Sequence, residues 1–253
     1  SGWMADRFGA KRIFLIAIGV LMLGSLTCAG AWSLTSFVVA RFLQGIGGSM
    51  MTPIARLILV RGTEKSALVD AMAWLTIPAL VGPVIGPPLG GFITTYATWH
   101  WIFLINIPIG LAGIAATLRY LPEVTSRHPG KLDLTGFLLA ALAASGIIFG
   151  LSVISLPALP PLVGISAIGC GALSGLLYIV HANQTAEPVL KLTILNQPVY
   201  RATVLAGSLF RIGNGALPFL LPLMLQLGFG MDAFRSGLIT FISAVGAIAM
   251  KFG

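Results

Sequence analysis

Seven stretches of this chain, residues 13–32, 34–60, 67–96, 101–121, 134–155, 162–183 and 202–227, are apolar and nearly free of charge, and a shorter eighth covers 234–250. About 20 apolar residues carry an α-helix across a bilayer, and a span in lipid must satisfy its backbone hydrogen bonds internally, so runs of this length are helical. The expectation is an all-α polytopic membrane protein of about eight transmembrane helices. Only 9% of the residues are charged and mean hydropathy is +0.98, whereas a soluble domain is about one-quarter charged.

The connections carry a second regularity. Arg7, Lys11 and Arg12, then Arg61 and Lys65, then Arg119, Arg127 and Lys131, then Lys191 and Arg201, and finally Lys251 fall on alternate ends, while the opposite turns contain only Arg235. The positive-inside rule puts the first set in the cytoplasm, and Trp32, Trp99 and Trp101 then form an interfacial belt at the outer ends. This scatter also argues against nucleic-acid binding, despite 15 Lys+Arg against 7 Asp+Glu, because no basic cluster forms. Cys28 and Cys170 lie singly inside apolar runs and read as small core residues, with no disulfide framework and no metal site. The chain begins at Ser1 and stops as an apolar segment ends, which is expected of a piece of a longer protein.

Three stretches carry polar chemistry or backbone freedom where lipid disfavours both. The loop Gly2-Trp3-Met4-Ala5-Asp6-Arg7-Phe8-Gly9-Ala10-Lys11-Arg12 compresses an acid and three bases into one turn. It reads either as a positive-inside anchor or as a charge network in which Asp6 faces a helix N-terminus and the bases reach carboxylates nearby. In Arg41-Phe42-Leu43-Gln44-Gly45-Ile46-Gly47-Gly48-Ser49, Arg41 lies about 10 Å along its helix at 1.5 Å per residue. Such a charge costs on the order of 3 kcal/mol and needs a partner, a wet cavity or a snorkelling path. Arg41, Gln44, Gly45, Gly48 and Thr52 fall on one face. The run from Gly82 to Gly91 places Gly82, Gly86, Pro87, Gly90 and Gly91 among further prolines within an apolar segment, a helix weakened by Pro and open to close approach at Gly.

Together these residues resemble the signatures of the major facilitator superfamily. Gly2, Asp6, Arg7, Gly9, Lys11 and Arg12 match the loop between the second and third helices, with Ala10 replacing a usual base. Arg41, Gln44, Gly45 and Gly47 are similar to the fourth-helix signature, and Gly82, Gly86, Pro87, Gly90 and Gly91 to the fifth-helix antiporter signature. Residues 99–110 resemble the start of the sixth helix in the fourteen-helix drug/proton antiporter branch, and residues 134–183 the helix pair that this branch inserts between its halves. Within the branch, residues 99–110 and 210–222 most resemble the MdtD-like group of bacterial multidrug exporters.

The resemblance implies a truncated superfamily fold running from the end of helix two to helix ten. Residues 1–132 would form most of the N-terminal bundle, 133–183 the inserted hairpin, 184–198 a cytoplasmic or interfacial linker, and 199–253 the start of the C-terminal bundle. It implies a proton-coupled exporter of drugs or other small amphipathic molecules that works by alternating access in the bacterial inner membrane. The proton gradient would drive it, with no cofactor, and an accessory periplasmic adaptor is a further candidate partner beside substrate, protons and lipid. The loop residues would latch the cytoplasmic gate, Arg41 and Gln44 would serve proton coupling, and the Gly82–Gly91 motif would form a contact between bundles, with Gly86 and Gly90 allowing close approach.

Arg211, near mid-membrane, aligns with Asn214, Pro218, Pro222 and Gln226. Either it meets an anionic or zwitterionic substrate, or it pairs with a carboxylate elsewhere in the protein. Trp74, Asn106 and Met72 are candidates for the substrate path or for packing. An enzyme is disfavoured: His100, His128 and His181 lie near segment ends or in a linker, without an HExxH or GxSxG motif. A transporter-like membrane sensor stays open.

Overall fold

A computed structural model describes residues 1–123, 132–154 and 159–252; the side chains of 76–81, 83, 84, 87, 214, 217–219 and 243–252 lie outside the description. Every regular element among the described residues is helical. In order they are α1 (Gly2–Phe8), α2 (Ala10–Ala29), α3 (Leu34–Gly62), α4 (Leu68–Tyr96), α5 (Trp101–Leu104), α6 (Asn106–Tyr120), α7 (Leu134–Val153), α8 (Pro161–Gln184), α9 (Pro198–Leu223) and α10 (Ala233–Phe252). A 3-10 turn, Leu192–Asn196, precedes α9 and a π-helical turn, Met224–Gly228, follows it.

Among the described residues, Ala10–Ala29, Leu34–Gly62, Trp101–Tyr120, Leu134–Val153 and Pro161–Gln184 are long and apolar enough to cross a membrane. The other three expected crossings coincide with α4, α9 and α10. Large apolar side chains face outward along these helices, Leu34 being 80% exposed and Phe42 73%. That pattern suits lipid as the solvent.

Local chemistry sets the boundaries. Residues 2–8, expected as loop, form a helical turn, and Gly9, at φ 93°, ends it before α2 begins. A side chain there would be strained, so the glycine is required by the backbone. Ser33 caps α3 through a reciprocal pair with Ser36, each hydroxyl answering the other's backbone N–H. The expected crossing at 101–121 is divided at Ile105 into α5 and α6.

The chain forms two compact units, Ser1–Pro129 with Ile212–Gly253, and Gly130–Arg211. In the first, α2 lies against α3, α5 and α6, and α4 packs along α10. Its core has one cluster at the basic ends, Ala5, Ala10, Ile13, Ile54 and Ile58, and another at the opposite ends, Cys28, Ala40 and Phe103. In the second unit, α7 and α8 pack as a hairpin so close that a Cβ on Gly150 would lie 2.6 Å from the Gly164 carbonyl oxygen. Cys170, expected in a core, is exposed on α8, whereas Cys28 is buried.

Candidate functional site

The crossing of α2 and α3 sets the geometry of the first site. A Cβ on Gly24 would sit 2.5 Å from the Gln44 Cα, and one on Gly47 2.5 Å from the Leu21 nitrogen. Only glycine permits backbones this close, and the contact carries Gln44 into α2. Gln44, 7% exposed, donates from Nε2 to the Ser25 Oγ at 2.7 Å. Asn106, at the start of α6, donates from Nδ2 to the same oxygen at 3.1 Å. Arg41 donates from Nη1 to the Gln44 Oε1 at 2.6 Å, and the Cys28 thiol lies 4.0 Å from that oxygen.

Arg41 is therefore tied to a buried polar chain joining α2, α3 and α6. Its guanidinium carbon also stands 5.7 Å from the Phe103 ring centre, where the face of the π-system attracts a cation. Phe103 packs edge-on against Phe37 and Trp99. Of the expected residues, Arg41, Gln44 and Asn106 are brought together; Gly45 is not, since a Cβ there would meet open space. The packed face of α3 runs instead through Ala40, Gln44, Gly47, Ile54 and Ile58.

A second charged network lies at the basic ends. Asp6 accepts from the Arg61 Nη1 at 2.6 Å, linking α1 to the end of α3 and not to a helix N-terminus. Lys11 Nζ donates to the carbonyls of Leu121 at 2.7 Å and Leu118 at 3.2 Å. These are orphan acceptors at the end of α6, where a cation also suits the helix dipole. Arg12 reaches Glu123 at 3.8 Å, and Arg7 lies over the rings of Trp3 and Phe8. A Cβ on Gly2 would meet open space.

Helix α4 keeps a helical backbone through the whole Gly/Pro run. A Cβ on Gly82, Gly86 or Gly90 would meet open space among the described residues, which make no close approach at Gly86 or Gly90. Close approach occurs at Gly91, where a Cβ would lie 2.5 Å from the Ala233 carbonyl oxygen at the start of α10. Phe92, Tyr96 and Phe234 close that contact with ring centres 5.0–6.1 Å apart. The side chains of Pro83, Pro87, Asn214 and Pro218 lie outside the description, as do Arg127, His128 and Lys131. Trp74 is 73% exposed, and Arg211 is exposed on α9 with no ion pair among the described residues.

The second unit holds polar contacts of its own among the described residues. Asp133 caps α7 by accepting from the Gly136 N–H at 2.8 Å, and the His181 Nε2 stands 2.8 Å from the same oxygen. The Asp133 carboxyl is held below the usual carboxylate range, chiefly by the Gly136 N–H, then by His181, with the Val189 N–H helping. The Tyr178 hydroxyl donates to the Leu190 carbonyl at 3.0 Å and accepts from the Leu190 N–H at 2.7 Å. These bonds fasten the segment after α8 to the hairpin.

Sequence reasoning missed Ser25, the place of Cys28 in the Arg41 chain (the sequence reads it only as a core residue), Gly24 and Arg56. The first three belong to a buried series on α2, Ala10, Ala17, Gly24, Ser25 and Cys28, and the seven-residue spacing of its first three small residues is a legible signal.

The sequence profile of the Major Facilitator Superfamily matches residues 1–253. The chain is 39% identical, across 99% of its length, to proteins of Yersinia enterocolitica serotype O:8 and Salmonella heidelberg that carry the provisional name multidrug resistance protein MdtD. It spans 53% of the length of each of those relatives. A match over the whole chain, together with an all-helical fold whose helices are long and apolar enough to cross a membrane, identifies it as a multi-pass membrane protein of the Major Facilitator Superfamily.

Proposed function

We propose that this chain is part of a proton-coupled exporter of drugs or other small amphipathic molecules, working by alternating access in the bacterial inner membrane. The observation that carries the reading is the Arg41–Gln44–Ser25–Asn106 chain, which ties an intramembrane cation to three helices through neutral partners. An intramembrane charge that pairs with no carboxylate among the described residues is available to bias an acidic group's proton affinity, because a nearby cation favours the ionised form. In this reading Arg41 and Gln44 serve coupling. Gly2, Asp6, Arg7, Gly9, Lys11 and Arg12 form the gate latch, and the Gly82–Gly91 run meets the partner bundle. The name of the relatives supports drugs as the cargo.

The test is substrate-driven proton movement in proteoliposomes holding the full-length protein, followed with an internal pH dye. Arg41→Lys keeps the charge but loses the planar fork and the ring contact, so coupled flux should fall at least tenfold. Full coupled efflux in that variant refutes the role. Counterflow of labelled substrate separates a carrier from a membrane sensor, which exchanges nothing.

Arg211 favours a second reading, export of an anionic or zwitterionic metabolite, since it is exposed on α9 without an ion pair among the described residues. Export of cations alone, at unchanged rate in Arg211→Gln, removes that reading.

A further inference from the structure

Between α2, α3 and α4 lies a cavity of about 380 Å³, separate from the Arg41 chain. Its walls are mostly apolar, with Phe14 from α2, Met51 from α3, and Met72 and Leu75 from α4. Thr52 and Arg56 from α3 supply the polar groups. Four residues apart on one helix, they lie on the same face. Arg56 is six residues before the end of α3, about 9 Å inward at 1.5 Å per residue. Among the described residues no carboxylate pairs with it.

A charged side chain inside a membrane-crossing helix is expensive and is met by a partner. Among the described residues, what stands beside Arg56 is this cavity and not a carboxylate. A volume of this size, apolar apart from one fork-shaped cation and one hydroxyl, matches a small-molecule site that fixes its ligand by a single polar end. We propose that this cavity binds an amphipathic anion, its carboxylate or phosphate on Arg56 and Thr52 and its apolar body along Phe14, Met51, Met72 and Leu75. The ligand chemistry is shared by an anionic lipid headgroup and a soluble amphipathic anion.

The experiment measures equilibrium binding of labelled decanoate to the full-length protein in nanodiscs of phosphatidylcholine, with decyl alcohol and decyltrimethylammonium as uncharged and cationic controls. Saturable decanoate binding is expected, at least tenfold tighter than either control. Arg56→Gln should weaken it at least tenfold, and Arg56→Lys much less. Leu75→Trp, which fills the cavity and leaves the cation, should abolish it at an unchanged thermal midpoint. Displacement of decanoate by phosphatidylglycerol in the nanodisc assigns the site to lipid, and no displacement assigns it to a soluble anion. Equal binding of decanoate and decyl alcohol, or full binding in either Arg56→Gln or Leu75→Trp, overturns the proposal. Because binding is read without transport, the outcome is independent of proton coupling.

Discussion

Gly24→Ala isolates the crossing that builds the Arg41 chain. The added Cβ would lie 2.5 Å from both the Cα and the nitrogen of Gln44 and 2.7 Å from its Cβ. Carbon contacts settle near 3.5–4.0 Å, so the two backbones must part by about 1 Å. The Gln44–Ser25 hydrogen bond is 2.7 Å long, and a shift of about 1 Å carries it to about 3.7 Å, beyond bonding distance. Overpacking costs about 1–3 kcal/mol, and an interhelical hydrogen bond in a membrane is worth about 0.6–1.7 kcal/mol, giving about 2–5 kcal/mol together. At roughly 2–4 °C per kcal/mol for a chain of this size, the thermal midpoint should fall by about 4–20 °C. Gly19→Ala is the control, since its Cβ meets nothing within 4 Å on the same helix; it should change stability by less than about 1 kcal/mol. Thermal unfolding of both variants in mild detergent, followed by tryptophan fluorescence, makes the comparison. Equal midpoints refute the close crossing, and with it the placement of Gln44 against Ser25.

Gly91→Ala should separate α4 from α10, with a loss of about 1–3 kcal/mol, while Gly86→Ala in the same helix stays close to neutral in the same unfolding assay. For Asp6 and Arg61, 27% and 32% exposed, a double-mutant cycle with Asp6→Asn and Arg61→Gln should give a coupling of about 0.5–1 kcal/mol that shrinks in high salt. Asp133 sets a pH dependence. Its carboxyl is depressed in the folded state, so its stabilisation is present above the unfolded value of 3.8 and is lost as pH falls through 3.8 toward the folded value. Limited proteolysis between α8 and α9 should accelerate over that range, and Asp133→Asn should remove the acid dependence while raising the rate at neutral pH.

The segments were legible because lipid imposes one rule along the whole chain: about 20 apolar residues, with charge only at the ends. That rule found α2, α3, α4 and α6 to α10 within a few residues, and it found Arg41 by its violation. The rule is blind to which face of a helix meets which neighbour. Leu and Phe suit lipid and protein interior alike, so periodicity fades and small residues become the guide. Hence Gly45, which spacing puts on one face with Arg41 and Gln44, meets open space while Gly47 packs against α2, and the close approach that α4 makes among the described residues falls at Gly91. Asp6 found Arg61 and not a helix end because residues 2–8 coil instead of looping. Arg56 reads in the sequence as one more base near a cytoplasmic end; the cavity beside it, and no carboxylate partner among the described residues, distinguish it from Arg61, which pairs with Asp6.

The hydrogen-bond polarity of the Arg41 chain leaves little freedom. Arginine only donates, so Gln44 must turn Oε1 toward it and Nε2 toward Ser25. Ser25 then accepts from both Gln44 and Asn106, which fills both lone pairs of its hydroxyl. Each donor fixes the next acceptor, and the direction runs from the charge on α3 into α2, where the amide of α6 also ends. A group that drew Arg41 away would leave Gln44 Oε1 without its charged donor and the amide free to rotate, releasing the constraint on Ser25. Arg41→Gln allows the same rotation without removing the Gly24 and Gly47 contacts. Its effect should therefore appear in the ordering of the Gln44 and Asn106 amides, read as altered side-chain amide resonances, with the α2–α3 crossing retained.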